Sequence, residues 1–236
     1  MFSKSLLFIT FIVLSRTVAG QGLTPLETRW LAAGAPVIAY ARQVGLPLDI
    51  IVQPQPMPGA VPLALGFRDG RCKLVLSMRG NGQAEDILRP VAEGQRPLMI
   101  EAMMAHEIGH CWRYAQGAWH VPPSGFVEPQ APAGADIALA GMAAALRDTQ
   151  REEAYSDLVA LAWMRQHHTD AYPAVYAWMS RVRSGQSPAG THVGSHDTLA
   201  WLRLVADGAV FDGPAAPFEQ VRTLWVEGLR GGRLTP

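Results

Sequence analysis

Between Arg71 and Met78 the chain alternates apolar and polar residues, so that Cys72, Leu74, Leu76 and Met78 would share one face of a strand. The preceding run, VPLALGF, is joined to it through Asp69-Gly70, a strong signal for a tight hairpin turn. LDIIV, Leu48 to Val52, is rich in β-branched residues and reads as a further strand. Before it, TPLETRWLAAGAPVIAYARQVG reads as one helix. Thr24 and Glu27 form a capping box there, Pro25 takes the first helical position and Gly45 ends the run.

From Pro97 onward the rhythm is helical. PLMIEAMMAHEIGHCWRYAQG predicts a helix with Pro97 near its start and Gly117 near its end. A proline-rich loop, His120 to Gly134, separates it from DIALAGMAAAL, read as one helix, and TQREEAYSDLVALAWMRQHH, read as a second opened by a Thr149/Glu152 capping box. AYPAVYAWMSRVR, SHDTLAWLRLVA and PFEQVRTLWVEGL complete the set. Trp112, Trp163 and Trp178 sit at helical positions of the core or its margin, His167-His168 marks a helix C-terminus, and Arg181 and Arg183 read as solvated. The fold class is α+β: a small antiparallel sheet near the N-terminal part, packed on a mainly helical body.

The chain's 236 residues suffice for one domain with a real core, and formal net charge is zero. No global field draws nucleic acid or anionic lipid, so function must come from a local site. The first residues differ from the rest. MFSK supplies a positive charge, Ser5 to Leu14 is an apolar run of ten residues, and small residues follow at Ala19 and Gly20. That is the anatomy of a secretory signal peptide over residues 1–20, with an uncleaved anchor as the alternative. Residues 21–236 form the expected single domain, exported to the periplasm or secreted, with no stable membrane insertion after cleavage. An oxidising compartment permits a bridge between Cys72 and Cys111, the only cysteines; two buried thiols are the other reading.

The chemistry lies in HEIGH. His106 and His110 are four apart and face the same way on a helix, so both imidazoles can reach one metal ion. Glu107 is turned by about 100° from His106, near enough to take a proton from water at that ion. Gly109 in mid-helix costs about 1 kcal/mol relative to alanine and calls for a reason: close approach of a strand or of the metal site, or else simple helix packing. A catalytic zinc needs a third protein ligand. Glu152, Glu153, Asp157, His120, His167, His168, His192 and His196 are the downstream candidates. A histidine six residues beyond His110 would mark a metzincin, but that position is Gln116. EEAYSD instead offers Glu153 as ligand and, four residues on, Asp157 to accept the outward N–H of a ligating imidazole.

HEIGH, EEAYSD and GTHVGSHD together resemble the HtpX/CAAX-prenyl-protease family of zinc metallopeptidases, a gluzincin group, over roughly Arg71 to Leu204. The resemblance implies a zincin-like fold and one Zn2+ per chain on His106, His110 and Glu153. It also implies Glu107 as general base, Asp157 behind a ligand histidine, and His192 near the transition state. Val193 stands where the family has proline and DTLAWL where it has Arg-Ile, which leaves His196 as a rival to His192. The activity implied is endopeptidase cleavage of exported or envelope proteins, with a peptide or unfolded protein as partner. Strand RCKLVLSM could offer an edge along which such a peptide adds. The alternative is a zinc-bearing binding or chaperone-like module that does not cleave.

Overall fold

In a computed structural model, which describes residues 22–54, 60–127, 136–185 and 196–231, the first helical stretch divides in two: α1 (Pro25–Ala33) and α2 (Ala35–Gln43). The expected signal peptide lies outside the described residues. Pro36 causes the break, because it has no N–H for the carbonyl four residues back and its ring crowds that carbonyl. Gly34 at the joint also admits Met104, whose Cε would lie 2.5 Å from an added Cβ. The Thr24/Glu27 capping box is present.

Three strands follow, β1 (Leu48–Val52), β2 (Leu63–Arg68) and β3 (Arg71–Leu76), in the order β1-β3-β2. β2 and β3 are antiparallel through a turn in which Asp69 and Gly70 both take positive φ. β1 pairs parallel to β3, so the sheet is mixed rather than antiparallel. Topology gives the reason. β2 enters from the end of the sheet where β1 left and runs against it, and β3 reverses once more. Asp49 pins this parallel register through Lys73, its partner across the pair, and through Arg71 Nε at 2.9 Å. β3 is therefore the central strand, paired on both sides, and has no free edge for a peptide. The edges of this sheet belong to β1 and β2.

The helical body comprises α3 (Arg96–Ala115), α4 (Ile137–His167), α5 (Tyr172–Arg183), the single turn α6 (Leu199–Leu202) and α7 (Pro217–Gly231). The two helices expected between residues 136 and 168 are one. Asp136 caps it, and the hydroxyl of Thr149 donates back to Ala145 O within the helix rather than capping a new one. No proline falls in α4 to stop it. Its first turns leave Ile137, Leu139 and Met142 exposed, while Ala154 to Met164 are buried.

One contiguous apolar core joins these parts. α3 lies at its centre, against the sheet on one side and α4 on the other. Cys72, Leu74, Leu76 and Met78 are all buried, as one face of β3 should be. Cys72 and Cys111 are joined as a disulfide, which ties β3 to α3 one residue beyond His110. No helix among the described residues is long and apolar enough to cross a membrane.

The bridge closes a loop spanning a sequence separation of 39 residues. Loop-closure entropy then assigns it about 4 kcal/mol of stability. Urea unfolding of the Cys72→Ser/Cys111→Ser double variant should show a loss of that order. An unchanged midpoint would contradict the bridge.

Candidate metal centre

α3 and α4 cross where Gly109 meets Ser156. A Cβ on Gly109 would lie 2.9 Å from Ser156 Cα, so only glycine lets the backbones come this close. The reason for this glycine is thus the packing of a neighbouring helix. His106 and His110 flank the crossing on α3, Glu153 and Asp157 flank it on α4, and each pair is spaced four apart on one helical face.

His106 Nε2 and His110 Nε2 lie 3.0 Å apart. Glu153 Oε2 is 3.4 Å from the first and Oε1 is 3.4 Å from the second. In a tetrahedral site with bonds of about 2.0–2.1 Å, donors are about 3.3–3.4 Å from each other. The three residues therefore form a cluster that could hold a metal ion.

Both imidazoles are held from behind by α4. His106 Nδ1 donates to Asp157 Oδ1 at 2.8 Å, which turns Nε2 toward the cluster. His110 Nδ1 is 2.8 Å from Ser156 Oγ, and a proton donated there leaves the Nε2 lone pair facing inward. Asp157 is fully buried. It also accepts from Thr198 Oγ1 at 2.6 Å and from Arg183, through Nε at 2.7 Å and through Nη2. Arg183 Nη2 lies 3.1 Å from Glu153 Oε2 as well.

These contacts set the charge states. Burial alone would depress the His106 imidazolium, but hydrogen bonds to Asp157 and Glu153 push it up to about 10. Burial would raise Asp157, yet the Arg183 charge and the His106 hydrogen bond hold it at about 2. Glu153 stays well below the usual carboxylate range because His106, His110 and Arg183 outweigh its burial. Burial dominates at Glu107 and raises its pKa against the pull of the nearby cations. Glu107 is half-buried on the turn of α3 between the two histidines.

Other candidates lie elsewhere. Glu152 is buried but makes no cap; it accepts from Arg113 Nε at 3.0 Å and Nη2 at 2.8 Å, and from His120 N at 2.8 Å. His167 stacks on Trp163, and His168 meets Glu101 Oε2 at 3.0 Å. His196 Nε2 is 3.6 Å from Glu153 Oε1, whereas His192 lies outside the described residues. Arg183 is not solvated: its side chain is only 12% exposed, in the ion pairs given above. It belongs to the site, contrary to the solvated reading of the sequence, as do Ser156 and Thr198, which the sequence did not single out. No family model matches the chain, and no curated protein or solved structure is detectably similar to it.

The His106 interaction adds stability that is complete below the unfolded pKa of about 6.5 and is lost as pH rises through about 10. That of Asp157 is present above its ordinary 3.8 and is lost as pH falls through about 2. In chelator, the melting temperature should therefore fall from pH 7 to 10, and Asp157→Asn should remove most of that slope. A melting temperature that is flat or rising over this range would contradict the assignment.

Proposed function

We propose that this chain is a zinc-dependent endopeptidase that hydrolyses peptide bonds of exported or cell-envelope proteins. The observation that carries the reading is the convergence of two imidazole nitrogens and one carboxylate within 4.8 Å of one another, with Glu107 on the intervening turn. Two histidines and a glutamate are a donor set of catalytic zinc, and three such donors leave one position of a tetrahedral ion for substrate or water. When bound, zinc lowers the pKa of water to about 7 and polarises the scissile carbonyl.

The chain's own residues do the rest. Glu107 takes a proton from the attacking water and passes it to the leaving amine. Its burial supports this role by bringing its pKa upward, toward the pH of work. Asp157 and Ser156 keep the ligating imidazoles in their tautomer and orientation. The family resemblance gives the oxyanion role to His192, with His196, whose Nε2 lies 3.6 Å from Glu153 Oε1, as its rival.

An extended peptide adds along the outer side of β2, an edge strand among the described residues, rather than to β3. Phe67 of β2 lies opposite Cys72, and Cys72 is bonded to Cys111 beside His110, so this edge is tethered close to the cluster. A zincin-like arrangement of sheet and HEIGH helix agrees with that placement. The apolar run from Ser5 to Leu14, after Lys4, supports export.

Glu107→Gln should keep one zinc per chain and cut cleavage of an unfolded protein substrate by about 10²–10⁴-fold. Metal content by atomic absorption and a fluorogenic casein assay read the two quantities. Equal activity in wild type and variant would overturn the mechanism. A zinc-loaded wild type that cleaves nothing would favour a non-cleaving zinc module.

A further inference from the structure

We infer that Arg183 is a positioning residue of the metal centre: its guanidinium locks the Glu153 and Asp157 carboxylates into one unit, and metal affinity depends on that lock. The inference rests on the metal-binding reading of the cluster and is independent of peptide hydrolysis. Arg183 is the last residue of α5, four beyond the buried Met179, so it sits on the face of α5 turned to the core. Its Nε and Nη2 grip both oxygens of Asp157, and Nη2 also reaches Glu153 Oε2 at 3.1 Å.

Asp157 in turn fixes His106. One guanidinium thus touches the carboxylate that would ligate and the carboxylate that aims a ligating imidazole. Two of the three donors depend on it. Only a planar fork can hold two carboxylates in this way; a lysine ammonium supplies the charge without the geometry. The contact with Oε2 leaves Oε1 as the oxygen facing His110 and His196.

The charges agree with this role. Arg183 is the cation set between the carboxylates of Glu153 and Asp157. Without Arg183, Glu153 and Asp157 would repel each other across one turn of α4.

Arg113 provides the control. It makes an equally buried two-point bridge between α3 and α4, to Glu152, with no contact to the cluster. Arg183→Lys, Arg183→Gln and Arg113→Lys are made in the full chain, stripped of metal and titrated with zinc against a chromophoric chelator. Thermal melts are run alongside. Arg183→Lys should weaken zinc binding by about 10–100-fold, the usual effect of losing a group behind a ligand, and Arg183→Gln at least as much. Arg113→Lys should lower the melting temperature but leave the zinc dissociation constant unchanged.

Wild-type zinc affinity in Arg183→Lys would overturn the inference, as would equal weakening in Arg113→Lys. If Arg183→Gln does not fold, the charge-conserving Arg183→Lys decides. A wild type that binds no zinc overturns the metal reading and this inference together; zinc-binding wild type with unaffected Arg183→Lys overturns the inference alone.

Discussion

Gly109 rests against the backbone of Ser156, and the candidate centre exists because α3 and α4 can approach that closely. A methyl group there would meet Ser156 Cα at 2.9 Å and Val159 Cβ at 3.2 Å. Glycine in mid-helix costs about 1 kcal/mol of helix stability, a local loss offset by what the approach assembles. Each helix carries a pair of chemical residues four apart that straddles the contact: His106 and His110 on one, Glu153 and Asp157 on the other. Moving the helices apart by the width of a methyl group would stretch both histidine–Glu153 separations.

Around this contact the buried charges are paired. Asp157 has no exposure, and a lone carboxylate in such a place would be strongly disfavoured. It is matched by Arg183, Thr198 and His106, brought from α5, from the residue before α6 and from α3. Glu152, round the helix from Glu153, is matched by Arg113 on the other flank. Arg183 holds Glu153 on the face of α4 turned to the histidines, while Glu152 is taken up by Arg113 away from the cluster. The disulfide adds a constraint from the opposite side, tying the His110 turn of α3 to the central strand.

Much of this was legible in short spacings. HEIGH and EEAYSD each put two chemical residues four apart, and that period survives any rearrangement of the rest of the chain. The capping box at Thr24 and the turn at Asp69-Gly70 were equally local. What escaped was decided by partners distant in sequence. The direction of β1 depends on the route the chain takes around the sheet, not on the residues of LDIIV. The Thr149/Glu152 pattern spells a helix start, but Glu152 is claimed by Arg113 and nothing in between breaks the helix. Arg183 looked like its exposed neighbour Arg181. The signal that separates them is the buried series Tyr172, Val175 and Met179, which leads along α5 to Arg183.

We propose that His106, His110 and Glu153 bind one divalent metal, oriented from behind by Asp157 and Ser156. X-ray absorption at the zinc edge on the zinc-loaded full chain tests it most directly. The expected spectrum shows one zinc per chain with two imidazole nitrogens and carboxylate oxygen at about 2.0–2.2 Å. The imidazole signal should drop in His106→Ala and in His110→Ala. A protein that retains no zinc after equilibration, or a spectrum indifferent to both substitutions, would contradict it.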